Sequence, residues 1–101
     1  VEVEYHPLVR RDIAEILEWY DARSDTAGDR FFAEFESTVE GLLSGHLRGY
    51  PIDQFSMKIP MRRFPYLISY ECTGETLFIF VVKHRRRHPS VGMRRQRPSK
   101  G

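Results

Sequence analysis

A single cysteine, Cys72, stands among 101 residues. It excludes an internal disulfide and a thiolate metal cluster, and it fits a reducing, cytoplasmic compartment. Long apolar runs are also missing. The longest, Leu77 to Val82, has six residues, against about 20 for a membrane-crossing helix. The opening Val-Glu-Val-Glu-Tyr lacks the basic-then-apolar pattern of a signal peptide. The chain has no phosphate-cradling glycine loop, no nucleophile elbow and no Cys/His zinc spacing. No cofactor, metal, membrane or small-molecule substrate is therefore expected. What is present is an ordinary globular composition, 41% apolar and 30% charged. A chain of this size makes one domain and buries roughly 65% of its unfolded surface.

Charge is distributed unevenly. Residues 1–50 hold eleven acids and five bases, a net of −6, whereas residues 51–101 hold three acids and eleven bases, a net of +8. From Lys83 onward there are eight bases and no acids. Such a block attracts phosphate polyanions or an acidic protein partner, although a solvated basic tail is the plainer alternative. The division expected is a single domain over residues 1–83 and a basic C-terminal tail over residues 84–101.

The hydrophobic period changes along the chain. Val1, Val3 and Tyr5 alternate with Glu2 and Glu4, as in a short strand. Pro7 suits a helix entry, and Val9, Ile13, Ile16, Leu17 and Tyr20 make an apolar stripe, with Arg10, Arg11, Asp12, Glu15 and Glu18 on the opposite face. Ser24 or Asp25 can cap a second helix, whose apolar face is Phe31, Phe32, Phe35, Val39, Leu42 and Leu43 and whose stop is Gly45. Three strands follow. The first alternates through Phe55, Met57, Ile59 and Met61, and Pro60 makes it an edge, bulged or short strand. The second alternates through Phe64, Tyr66, Ile68, Tyr70 and Cys72, and Thr73-Gly74 turns it into a third, Leu77 to Lys83, apolar enough to lie centrally. Tyr66, Tyr70 and Cys72 read as core. Residues 90–95 suit one helical turn. The order β-α-α-β-β-β predicts an α+β fold, with a helical hairpin packed on one face of a small, mostly antiparallel sheet. The other sheet face, bearing Lys58, Arg62 and the start of the tail, is expected to stay open.

Basic residues carry the chemistry. Lys58, Arg62 and Arg63 sit on or beside one strand, and Arg85, Arg86 and Arg87 follow the last. Metal-free RNA cleavage needs a deprotonated 2′-hydroxyl, a stabilised pentavalent phosphate and a protonated leaving oxygen. Arginines supply the charge stabilisation. A group titrating near neutrality, such as His84, His88 or a lowered-pKa Lys58, would move the proton. The same arginines could instead bind a partner's carboxylates. His84 and His88 are four apart, but positive neighbours and the lack of a third ligand argue against a metal there. Trp19 lies away from most of the first helix's stripe and suits a partner interface.

Three segments together resemble the RelE/ParE superfamily of toxins from bacterial type II toxin–antitoxin modules, of the plasmid-stabilisation type. The first is the hairpin from Pro7-Leu8 through Glu18-Trp19-Tyr20 and Arg30-Phe31-Phe32 to Leu42-Leu43. The second is Met61-Arg62-Arg63-Phe64-Pro65-Tyr66-Leu67-Ile68-Ser69-Tyr70, similar to the family's R-x-F-P-Y-x-I-x-Y strand. The third is Leu77 through Lys83-His84-Arg85-Arg86-Arg87, similar to its closing strand and H-x-R-R segment.

The resemblance implies a toxin neutralised by a cognate antitoxin, with either of two activities. RelE-like members cut messenger RNA in the ribosome without a metal, and ParE-like members poison DNA gyrase by binding. Lys58 falls at a RelE-like catalytic lysine and Arg85 near the tail-proximal arginine, with Arg62 and Arg87 completing the set a ribonuclease would use. Pro60, Leu67 and Val91 stand where a second lysine, a strand arginine and a C-terminal tyrosine are expected. The resemblance thus favours binding-only action on gyrase, with Arg63, His84, Arg85, Arg86, Arg87, His88, Arg94 and Arg95 meeting the target. The alternatives are the ribosome-dependent endoribonuclease and a degenerate, non-toxic antitoxin-binding member. The antitoxin is expected to be acidic and partly disordered, with Trp19, Tyr20 and Phe32 as its anchors on the toxin.

Overall fold

The computed structural model describes residues 2–96. Seven elements follow in order: β1 (Glu2–Tyr5), α1 (Val9–Asp21), α2 (Ala27–Ser44), β2 (Tyr50–Pro51), β3 (Met57–Pro60), β4 (Tyr66–Thr73) and β5 (Thr76–His84). The five strands form one sheet in the order β1-β5-β4-β3-β2. Only β1 and β5 run parallel; the other pairs are antiparallel. The fold is therefore the expected α+β arrangement, with one added strand. Tyr50–Pro51 makes a two-residue edge that no alternation announced.

The helices start and stop for local reasons. At the entry to α1, the backbone N–H of Leu8 donates to His6 Nδ1 at 3.1 Å. Ser24 Oγ accepts from the N–H groups of Thr26 and Ala27 at 3.2 and 3.1 Å, meeting two donors that the start of α2 leaves open. Gly45, at φ 81°, ends α2 in the left-handed conformation that a side chain resists.

One layer of core lies between helices and sheet. Val9, Ile13 and Ile16 from α1 and Phe31, Phe35 and Val39 from α2 pack on Ile59, Ile68, Tyr70, Leu77, Ile79 and Val82. Tyr20, Phe31, Phe64 and Tyr66 form an aromatic cluster at one end, with centroids 5.3–6.2 Å apart. Each such pair adds about 0.5–1.5 kcal/mol beyond simple burial. Tyr70 also accepts a 2.8 Å bond from Gly49 N–H through its hydroxyl.

Several boundaries shift from the expected ones. Phe55 is not on β3 but 72% exposed, because Asp53 Oδ1 accepts from the N–H groups of Phe55 and Ser56 and curls the chain into a turn. Those same bonds hold the Asp53 carboxyl below its ordinary pKa. Pro60 closes a strand that is short but lies inside the edge formed by β2. Strand β4 begins at Tyr66 instead of Phe64, since Glu34 of α2 accepts from the N–H groups of Arg62 (2.7 Å) and Arg63 (3.2 Å) and fixes that stretch as a loop. Cys72 is exposed and not core, being next to the end of β4 where burial ceases.

Strand β5 carries a bulge. Ser69 pairs with Val81 and Tyr70 with Ile79, so Phe80 has no opposite residue. The extra residue shifts the alternation. Leu77, Ile79 and Val82 face the helices, while Phe78, Phe80 and Val81 form a second cluster with Met93 on the outer side. That outer face is thus partly covered by the chain after β5, contrary to the open face expected.

Candidate functional site

The basic segment leaves β5 through a run of turns. Arg85 N–H donates to Pro65 O, Arg86 N–H to His84 Nδ1, and Arg87 N–H to His84 O, at 2.9, 3.1 and 2.9 Å. These bonds aim the backbone while leaving three consecutive arginines exposed. His84 stands edge-on to Tyr66, with ring centroids 5.4 Å apart. Ser90 N–H donates to His88 Nδ1 at 3.1 Å, closing the next turn. The expected helical turn is realised as successive turns over residues 89–94.

Arg85, Arg86, Arg87 and Arg94 are exposed, and none of the four guanidinium groups has an acid partner among the described residues. Arg95 is different. It turns inward, donating to both carboxylate oxygens of Asp12 (2.6 and 3.1 Å) and to Phe80 O at 3.1 Å. Arg97 and Lys100 lie outside the described residues.

Asp12 corrects the sequence reading. It is not on a solvent face but three residues after Val9 and four before Ile16, within the buried stripe, where Oδ2 also accepts from Val82 N–H. Lys83 is by sequence the end of an apolar run and the first of eight bases. Its ammonium is buried on the outer face and donates to the carbonyls of His88, Pro89 and Val91 at 3.3, 2.9 and 2.8 Å. Burial, followed by the charges of Arg87, Lys58 and Arg95, pushes its pKa down. The available signals were the helical spacing of Asp12 and a lone cation at the end of β5.

The four residues a ribonuclease would use are divided. Lys58 is exposed on β3 between Met57 and Ile59, which pack in the helix–sheet core, so it lies on the outer side. Arg87 lines a concavity of about 340 Å³ with Trp19, Tyr66, His84 and Arg95. Arg62 and Arg63 instead line a larger groove against α2, about 750 Å³, with Arg30 and His46. Lys83, the lysine with a lowered pKa, is engaged with three carbonyls. His84 and His88 both use Nδ1 as backbone acceptors.

The aromatic residues named as partner anchors also separate. Trp19 is 50% exposed, with the Arg23 guanidinium 4.0 Å above its ring. Phe32 is partly exposed in an apolar concavity with Tyr5 and Phe35. Tyr20 is half-buried in the aromatic cluster. No helix among the described residues is long and apolar enough to cross a membrane.

A two-helix layer on a five-strand sheet, followed by an arginine-rich turn segment, defines a small α+β protein with a basic C-terminal surface. Residues 3–89 match the family of ParE toxins of the type II toxin–antitoxin system parDE, and the chain belongs to that family. A chain of the chromosomal ParDE TA system from P. aeruginosa has the same fold, with a TM-score of 0.71 at 11% identity over 83% of this chain and 95% of that one. No curated protein is significantly similar in sequence.

Proposed function

We propose that this toxin arrests growth by binding DNA gyrase, without cleaving RNA, through the basic segment that follows β5. One observation carries the reading: Arg85, Arg86, Arg87 and Arg94 are exposed and, among the described residues, unpaired by acids, on a backbone held by turns. Unpaired guanidinium groups on an ordered frame favour association with an anionic surface. A ribonuclease needs in addition a proton-transfer group beside its cations. The lysine whose pKa is lowered is occupied by carbonyls, and Arg62 lies in a different concavity from Arg87. Residues 1–83 then serve as the scaffold and residues 84–101 as the target-binding tail, in the cytoplasm.

A cognate antitoxin neutralises the chain. Its acidic, partly disordered segment orders over the toxin surface, with Trp19 and Phe32 as exposed aromatic anchors and Tyr20 at the margin of the core.

The test is paired pulse-labelling of DNA and protein synthesis within minutes of inducing the toxin without its antitoxin. Thymidine incorporation falls first under this reading. An early fall in methionine incorporation with DNA synthesis spared would replace it with the ribosome-dependent ribonuclease. No fall in either would mark a degenerate, non-toxic member.

A further inference from the structure

Residues 85–96 contain no helix or strand, yet their backbone is tied down at both ends. Near the start, one ammonium collects three carbonyls: Lys83 Nζ donates to His88 O, Pro89 O and Val91 O. A lysine has three N–H donors, so all are used. Near the end, the fork of Arg95 grips Asp12 on α1 and the carbonyl of Phe80, the bulged residue of β5. Between these two ties, Gly92 at φ 81° sits so close to Val81 that a Cβ would lie 2.6 Å from Cγ2, and Met93 packs on Phe78 and Phe80.

We propose that Lys83, Asp12 and Arg95 are positioning residues that lock residues 88–95 as a strap across the outer face of β5, and that this lock makes the basic segment a rigid target-binding surface. The proposal rests on the reading that the exposed arginines meet the target. Two features argue for a lock instead of incidental packing. First, burial disfavours the charge on Lys83, and the like charges of Arg87, Lys58 and Arg95 disfavour it further. A buried cation in that setting is tolerated only because it is fully hydrogen-bonded. A methionine there would fill the space without the cost of burying charge. Second, the Phe80 carbonyl comes from the residue the bulge leaves unpaired, so the irregularity in β5 supplies one of the strap's acceptors. Arg85, Arg86, Arg87 and Arg94 then project from a fixed frame, and less conformational entropy is lost when they bind.

Amide hydrogen exchange on the purified full chain tests the lock. The reporters are the amides of Val91, Met93 and Arg95, each bonded to a carbonyl three residues earlier. Lys83→Met is expected to speed their exchange at least tenfold while the β4 and β5 amides stay protected. Arg95→Gln, which breaks the other tie at the segment's end, is the second variant and should act in the same direction. Growth arrest at equal expression should weaken in both, and Arg95→Lys should recover part of each effect. Unchanged exchange in both variants would overturn the lock. Faster exchange with undiminished arrest would overturn the positioning role. If the parent chain itself fails to arrest growth, the proposed function falls, and the exchange rates alone decide whether the lock exists.

Discussion

Arg95 and Asp12 lie 83 positions apart and meet as a two-pronged ion pair, 2.6 and 3.1 Å, between the C-terminal segment and the first turn of α1. Their side chains are only 17% and 12% exposed, so solvent screens the pair weakly. Asp12 also accepts from Val82 N–H. The carboxylate thereby joins α1, strand β5 and the basic segment.

Asp12→Ala should therefore cost about 3 kcal/mol, the lower end of the range for breaking a buried pair, because Arg95 can still swing toward water. Urea unfolding of the variant against the parent checks this. A loss below about 0.5 kcal/mol, typical of an exposed pair, would show that the contact is incidental.

Glu34 makes a different kind of tie. Its carboxylate accepts from two successive backbone N–H groups, those of Arg62 and Arg63, and so ties the β3–β4 loop to α2. Glu34→Ala should lower stability by about 1–1.5 kcal/mol, since the carboxylate accepts charge-assisted bonds that water can only partly replace. The expected signature is fast amide exchange at Arg62 and Arg63 with β5 unaffected. Equal loosening of both regions would contradict a local role.

Tyr66 titrates late. Burial, then its neighbour Tyr20, raises its pKa from 10.0 to about 12. A raised phenol pKa means that the folded state holds its proton more tightly than the unfolded chain. The resulting stability is fully present below pH 10 and disappears as pH rises through about 12. Ultraviolet titration should show a late phenolate component that Tyr66→Phe removes. Stability of that variant should also fall less than the parent's between pH 10 and pH 12. Ionisation of Tyr66 near its ordinary value would contradict the packing of the aromatic cluster.

The elements with strong local patterns were legible in the sequence. Val9, Ile13 and Ile16 recur at helical spacing, Gly45 ends α2, and Thr73-Gly74 turns β4 into β5. Tyr66 and Tyr70 are core, as their alternation implies. What escaped depends on partners distant in the chain. Tyr50–Pro51 is too short to show a period, and it pairs only because β3 lies beside it. Asp12 looks like a surface charge until Arg95 arrives to meet it. Cys72 alternates correctly with Tyr70, but burial ends before it. The basic segment is a tail by composition, yet three of its carbonyls accept from Lys83, which apolar counting treats as the end of a strand.

Gyrase is the proposed target of the exposed arginines. The most direct measurement is inhibition of gyrase supercoiling of relaxed plasmid by the purified chain and by the double variant Arg85→Ala/Arg87→Ala. Inhibition by the parent, weakened at least tenfold in a variant with an unchanged circular dichroism spectrum, is the predicted result. Supercoiling untouched by the parent chain, together with cleavage of ribosome-bound messenger RNA, would contradict it.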